Sequence, residues 1–205
     1  MKITLPARIQ LYGQYVLDAT GNPASEQIPS QETRQGFQVG GKWFDALGIQ
    51  NFYGQMEYNR ATIFTYGHMN AAQNYIHTRQ ALAHPMGSGF NEFVAILAYS
   101  IKDFEVEMQG NLARYNTKTG EGVSDDNFLV YDQEIIEGNN LSAISLENEF
   151  AYGHMQVSYL LNPRTDLRIY AGAALRVNRN LTRESKDAWV FFGLRTFLSD
   201  QLLDF

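Results

Sequence analysis

Apolar and polar residues alternate with a period of two along most of the chain, and helical spacing fits poorly. The alternation is clearest over 167–178, where every second residue is apolar: Leu167, Ile169, Ala171, Ala173, Leu175 and Val177. Such alternation places the two sets of side chains on opposite faces of a β-strand. The same pattern predicts eight strands, at 3–18, 36–46, 50–64, 91–101, 104–116, 144–161, 165–178 and 187–198.

The predicted connections between strands alternate in length. Short turns are expected at 47–49, 102–103 and 162–165, and long loops at 19–35, 65–90, 117–143 and 179–186. Outer-membrane barrels have short turns at one rim and long loops at the other. Most of the predicted strands also reach the 9–11 tilted residues that span a bilayer. The sequence therefore predicts an all-β fold, an antiparallel up-and-down transmembrane β-barrel of about eight strands in a single domain (1–205).

A soluble barrel would show nearly the same alternation with its faces exchanged. Three features favour the membrane form. The polar face carries charges of both signs and several tyrosines, and the apolar face is rich in glycine and alanine, which fill a soluble core poorly. Aromatic residues also gather near predicted strand ends, as an interfacial girdle requires: Trp43, Phe44, Tyr99, Tyr159, Trp189 and Phe197. A soluble ligand-binding β-barrel remains the alternative.

The composition of the chain excludes several classes of function. The chain has 205 residues, a net charge of −6 and no cysteine. The acidic balance gives no basis for nucleic-acid binding, and the lack of cysteine excludes disulfides, thiolate metal sites and cysteine nucleophiles. The first residues, 1–6, do not form a signal peptide, and the chain enters a strand almost at once. We therefore expect the chain to be the C-terminal part of a longer barrel, with strand 3–18 pairing outside these residues.

Histidines are the natural candidates for catalysis or metal binding. His68, His77 and His84 fall in one long loop, but their spacing matches no standard zinc motif, and Pro85 beside His84 indicates a turn anchor. Neither Ser145 nor Ser158 has a readable Asp-His-Ser context. The sequence thus predicts no catalytic residues, no metal and no cofactor. A complete eight-stranded barrel acting as an adhesin or a lipid-modifying enzyme is a further alternative.

The long loop and one hairpin carry a family resemblance. Residues 74–92 contain a Tyr-x-His-x-x-Gln-x-Leu-x-His-Pro-x-Gly run, formed by Tyr75, His77, Gln80, Leu82, His84, Pro85 and Gly87. This run resembles the Wzi-like capsule-assembly barrels and the RemB-type gliding-motility barrels of Bacteroidetes. The segment 162–168, followed by Gly172 and Arg176, is similar to their penultimate hairpin.

The resemblance implies a location and a role. It implies a bacterial outer-membrane protein that contacts membrane lipid, with a structural or surface-assembly role in capsule attachment or gliding motility and without enzymatic activity. Surface polysaccharide or other outer-membrane proteins would be its partners. Within the barrel we expect the polar face to line the lumen, and its candidate lumen residues are Arg168, Tyr170, Arg176 and Arg195.

Overall fold

The computed structural model is an all-β protein. It describes residues 1–19, 34–62, 65, 76–77, 80–81, 84–115, 148–180 and 183–196. Its strands are β1 (Lys2–Leu5), β2 (Ile9–Ala19), β3 (Arg34–Phe44), β4 (Phe52–Ala61), β5 (Ile76–His77), β6 (Gln80–Ala81), β7 (Phe90–Ile101), β8 (Phe104–Tyr115), β9 (Asn148–Asn162), β10 (Leu167–Arg179) and β11 (Glu184–Arg195).

Nine of these strands form one antiparallel sheet, in the order β1-β2-β3-β4-β7-β8-β9-β10-β11. Each strand pairs with the next along the chain, apart from the small β5–β6 hairpin, so the topology is up-and-down. A single 3₁₀ turn, Ala46–Gly48, is the only helical element in the described ranges. These ranges contain no helix that is long and apolar enough to cross a lipid bilayer.

Most predicted strands lie within a few residues of the observed ones, but two expectations were wrong. The predicted strand 3–18 is two strands, β1 and β2, which pair with each other around a turn at residues 6–8. Arg8 has a φ of 57° at that turn. The expected long loop 179–186 is a connection of only residues 180–183, closed by a hydrogen bond of 2.9 Å from the Asn180 amide to the Arg183 carbonyl.

The register divides the side chains into two faces. We call the face that carries Tyr12, Glu57 and Arg168 the polar face, and the face that carries Met56, Leu112 and Phe192 the apolar face. The polar face is the less exposed of the two. Strand β9 illustrates this, since Met155, Val157 and Tyr159 are exposed and the residues between them are not. The sheet therefore curves toward its polar side.

Few large apolar side chains are buried in the described residues. The described residues that are buried and hydrophobic are four alanines and a single phenylalanine: Ala46, Ala61, Ala113, Ala174 and Phe90. Six polar residues are buried in the same ranges: Asn59, Thr65, Ser88, Glu92, Asn148 and Ser158. Large apolar side chains are instead exposed on the apolar face, and the exposed fraction reaches 88% at Phe192 and 83% at Val190.

The apolar face is banded along the strands. Its short-turn end carries an aromatic group, Trp43, Phe52, Tyr99, Phe104 and Tyr159. The Phe104 and Tyr159 rings lie 4.8 Å apart. Three of the aromatics predicted for a girdle are in this group, whereas Phe44 and Trp189 lie on the polar face. Phe197 lies outside the described residues.

The sheet is open in the described ranges, where β11 has no second partner strand and β1 covers only Ile9–Tyr12 of β2. Gly40 and Gly41, which suggest a bulge or kink in the sequence, pair in continuous register with both neighbouring strands. No bulge therefore lies at these glycines. The Tyr12 ring occupies the space in front of Gly40, where a Cβ would lie 2.5 Å from the Tyr12 hydroxyl.

Candidate functional site on the polar face

Two glutamates organise the polar face across five strands. The Glu57 carboxylate on β4 accepts hydrogen bonds from the Tyr12 hydroxyl on β2, from Gln38 Nε2 on β3 (2.8 Å) and from Asn59 Nδ2 (2.9 Å). Gln55 Nε2 also donates to the Tyr12 hydroxyl at 3.1 Å. Side chains from strands that are not neighbours thus meet above the sheet.

Glu92 on β7 is the second centre, and only 7% of it is exposed. Asn59 Nδ2 donates to Glu92 Oε2 at 3.0 Å as well as to Glu57, so this amide joins the two carboxylates. Asn111 on β8 donates to Glu92 Oε1 at 3.3 Å. A buried carboxylate with several donors is well satisfied, and removing it leaves those donors without partners.

His84 joins the end of the long loop to this network. Its Nε2 lies 3.0 Å from Glu92 Oε2, and its ring stacks on Phe90 with centroids 4.2 Å apart. The Met86 amide donates to His84 Nδ1 at 3.2 Å, so in this arrangement Nε2 carries the proton and donates to Glu92. The Gly87 amide donates to the His84 carbonyl at 2.8 Å, which closes the turn at Pro85.

The base of the long loop is also packed on the sheet. Thr65 has no exposed surface, and its hydroxyl contacts the Gln35 carbonyl at 3.2 Å. The Gly89 amide donates to the Thr62 carbonyl at 3.2 Å, and Phe90 is 4% exposed. Both ends of the 65–90 segment therefore lie against the same part of the sheet.

Of the seven candidate loop residues, the structure brings His84 to the polar face, and Pro85 and Gly87 lie in the turn that follows it. Gly87 has a φ of 71°, a conformation that glycine adopts without steric cost. His77 and Gln80 pair with each other in the β5–β6 hairpin. Tyr75 and Leu82 lie outside the described residues, as does His68.

The four candidate lumen residues share the polar face. Arg168 Nη1 lies 2.5 Å from Glu105 Oε2 and its Nε lies 2.8 Å from Asp166 Oδ1. Glu105 is on β8, two strands from Arg168, so this contact also passes over a neighbouring strand. Arg176 forms a more exposed ion pair with Asp187 at 2.9 Å. Arg195 lies directly opposite Arg168 in the register of β10 and β11.

An aromatic strip crosses β9, β10 and β11 on the polar face. The His154 and Phe191 rings are nearly parallel, with centroids 5.4 Å apart, and His154 also stacks with Tyr152 at 6.4 Å. Tyr170 and Trp189 lie at the two ends of the strip. His154 Nδ1 is buried without a hydrogen-bond partner among the described residues. The strip gives this part of the polar face flat, weakly polar surfaces.

Ser158 does not form a nucleophile pair with His154. The two residues lie on one face of β9 but four positions apart, which is about 13 Å along a strand. Ser158 is 3% exposed and lies opposite Glu105 and Tyr170. Ser145, the other serine considered, lies outside the described residues.

Sequence reasoning missed the amides that join the strands, namely Asn59, Asn111 and Gln38. The sequence does contain one signal for such a network, because the polar residues Gln55, Glu57 and Asn59 occupy successive positions on one face of β4. Their partners on other strands depend on the register of strands far apart in the sequence, which one chain's pattern does not fix.

Comparison with known proteins finds no matching family model, no similar curated protein and no similar solved structure.

Proposed function

We propose that this chain forms part of a bacterial outer-membrane β-barrel with a structural or surface-assembly role. The apolar face would contact lipid, and the polar face, including Arg168, Tyr170, Arg176 and Arg195, would line the interior. Its partners would be membrane lipid and a surface polysaccharide or another outer-membrane protein.

One observation carries the proposal, namely that the polar face is the less exposed of the two faces and that the large apolar side chains lie on the more exposed face. A soluble barrel fills its interior with apolar side chains and turns polar ones to water. Here Glu92 and Asn59 are among the least exposed side chains, whereas Phe192, Val190 and Leu194 are among the most exposed. This distribution suits a hydrocarbon solvent outside and a polar interior.

The height of the apolar band supports the same proposal. On β8 the apolar face runs from Phe104 to Leu112, and Arg114 follows at the next position on that face. Eight residues of strand cover about 27 Å. With a tilt of about 40°, this becomes about 21 Å, close to the roughly 25 Å apolar band of outer-membrane barrels.

The open edges bear on the size of the barrel. Unpaired backbone N–H and C=O groups in hydrocarbon cost several kcal/mol each, so both edges must be paired in a membrane. β1 and β11 run in the same direction, and β1 occupies the side of Ile9–Tyr12 that β11 would need for closure. We therefore propose that further strands complete the barrel, in preference to direct pairing of β2 with β11.

The attachment of the long loop to the sheet at His84 supports the surface-assembly role. The 74–92 run carries the resemblance to capsule-assembly and gliding-motility barrels, and its last part is anchored on the polar face by His84 and Glu92. A connection fixed in this way would present the rest of the loop at a defined place on the rim.

Membrane insertion of the purified protein tests the proposal. The chain, produced together with the further strands that complete its barrel and folded by dilution from urea into lipid vesicles, should resist carbonate extraction, and the β-strands should be protected from added protease. A matched sample diluted into buffer without lipid or detergent should aggregate. A monomeric, fully soluble and folded product in buffer alone would favour the soluble ligand-binding barrel. Deletion of the gene in its host, with surface polysaccharide and surface motility as readouts, tests the assembly role separately.

A further inference from the structure

The charged end of the apolar face points to a binding site for phosphorylated lipid. This end lies beside the long loops, where one register row crosses β4 to β11. The row consists of Arg60, Asn91, Arg114, Glu149, Arg179 and Glu184. Because strands lie about 4.8 Å apart, the three arginines are spaced at intervals of about 10 Å or slightly less.

Positive charge is in excess in this row, although the chain as a whole is acidic. Lys186 lies one position closer to the apolar band and contacts Glu184 at 3.2 Å. The three arginines and Lys186 therefore face two carboxylates, which leaves two positive charges in excess. Arg60 has no ion-pair partner among the described residues. The local excess opposes the net charge of −6 of the whole sequence, so this patch attracts anions that the rest of the protein repels.

The ion pairs within the row are exposed and therefore exchangeable. Arg114 contacts Glu149 at 2.9 Å, and Arg179 contacts Glu149 at 3.4 Å and Glu184 at 3.1 Å. Exposed ion pairs add little to stability. The arginines can therefore turn toward a stronger anion without loss of the fold.

An apolar groove begins directly below the two arginines Arg114 and Arg179. Its floor is formed by Phe93, Leu112, Ala151 and Val177. Leu112 is 59% exposed and Phe93 is 42% exposed, so this floor is open. An acyl chain fits such a floor, and a guanidinium binds a phosphate through two parallel hydrogen bonds.

We propose that Arg114 and Arg179 bind the phosphate of a phosphorylated lipid whose acyl chains lie on the Phe93–Leu112–Val177 groove. This inference rests on the proposed membrane location, in which the long-loop rim faces the outer leaflet. The outer surface of the barrel thus recognises one class of lipid. Such a lipid would fix the depth of the barrel and order the rim beneath the loops.

Lipid binding by the full chain in detergent micelles tests the inference, with phosphatidic acid as the probe and phosphatidylcholine and inorganic phosphate as comparisons. Native mass spectrometry of the purified protein gives the fraction with lipid bound. The wild-type chain should bind phosphatidic acid about tenfold more tightly than phosphatidylcholine, because the phosphomonoester of phosphatidic acid carries more negative charge for the two arginines, whereas the phosphodiester of phosphatidylcholine is a monoanion beside a choline cation. The double variant Arg114→Gln/Arg179→Gln should lose this preference.

Two further variants separate binding from folding. Arg176→Gln removes an exposed arginine and its ion pair from the same strand but on the polar face, and it should keep the full preference. Glu149→Gln removes the carboxylate that competes for both arginines, and it should bind phosphatidic acid more tightly. A purely structural role of these ion pairs predicts weaker binding for Glu149→Gln.

The inference is overturned if wild type shows no preference, if Arg176→Gln loses as much as the double variant, or if Glu149→Gln binds more weakly. Inorganic phosphate that competes at the same concentration as phosphatidic acid would also overturn it, because the site would then recognise a free anion. Carbonate extraction of the same proteins after they are folded into vesicles reports membrane insertion independently. A chain that inserts without lipid preference contradicts only this inference, whereas a chain that does not insert contradicts the proposed function as well.

Discussion

The Phe191 ring lies over Gly172, its direct partner in the β10–β11 register. The same relationship recurs on the polar face, where the Tyr170 ring covers Gly193 and the Tyr12 ring covers Gly40. In each pair the glycine leaves room for an aromatic ring to lie flat on the neighbouring strand. These rings fill the space above the glycines of the neighbouring strands. A larger residue in place of any of these glycines would collide with the ring.

Gly172→Ala should therefore destabilise the protein. A Cβ at this position would lie 2.5 Å from the Met155 carbonyl oxygen and would also collide with the Phe191 ring. Because the carbonyl belongs to a paired strand, the collision cannot be relieved by a side-chain movement alone. Overpacking of this kind costs about 1–3 kcal/mol, measurable as a lower urea midpoint of unfolding.

Gly153→Ala provides the matched control for that measurement. Gly153 lies in the neighbouring strand β9 on the apolar face, and nothing lies within 4 Å of a Cβ built there. Its midpoint should stay at or slightly above the wild-type value, since alanine restricts the unfolded chain. Equal losses in the two variants would show that backbone propensity, and not the aromatic cover, limits these positions.

Glu92→Ala should lower stability by about 1–3 kcal/mol, the cost of leaving buried donors without a partner. His84, Asn59 and Asn111 all donate to this carboxylate. The variant should also release the turn at His84, seen as faster proteolysis within 84–90. Glu107→Ala on the same face is the control, because Glu107 has no side-chain hydrogen bond among the described residues. Similar effects of both variants would contradict the role assigned to Glu92.

The alternation of single strands could be predicted from the sequence, and the connections between strands only in part. The predicted strand 3–18 fails for a geometric reason, since Ile3, Leu5, Ile9 and Leu11 keep the same parity across the turn at 6–8. The alternation therefore continues unbroken through a reversal of the chain. In β7 the polar face carries Val94, Ile96 and Ala98, and the alternation there is weak. The role of Glu92 depends on partners that are distant in the sequence, namely Asn59 on β4, Asn111 on β8 and His84 at the end of the long loop.

The separation of the two faces gives a prediction that distinguishes a membrane from water as the outer solvent. Leu175 lies in the apolar band, one row from the middle row of Met108, Met155 and Ala173, and is 50% exposed. Arginine on the lipid face at mid-depth costs about 2–4 kcal/mol, so Leu175→Arg should strongly lower the folded fraction in vesicles. Gln156→Arg, on the polar face opposite Glu107, should fold as well as wild type. A Leu175→Arg variant that folds normally would argue for a water-facing surface.

The last prediction concerns the two free edges of the sheet. The chain has no cysteine, so pairs of introduced cysteines report strand neighbours without background. Ala173 and Val190 are register partners in β10 and β11, and the pair Ala173→Cys/Val190→Cys serves as the positive control for an oxidant-dependent cross-link. Tyr15→Cys, on the part of β2 that β1 leaves uncovered, is combined in turn with Ala188→Cys, Val190→Cys and Phe192→Cys on β11. If further strands complete the barrel, none of these three pairs should cross-link within one chain. Because unpaired edges are not tolerated in hydrocarbon, an efficient intramolecular cross-link from β2 to β11 in vesicles would mean that the sheet closes on itself and displaces β1.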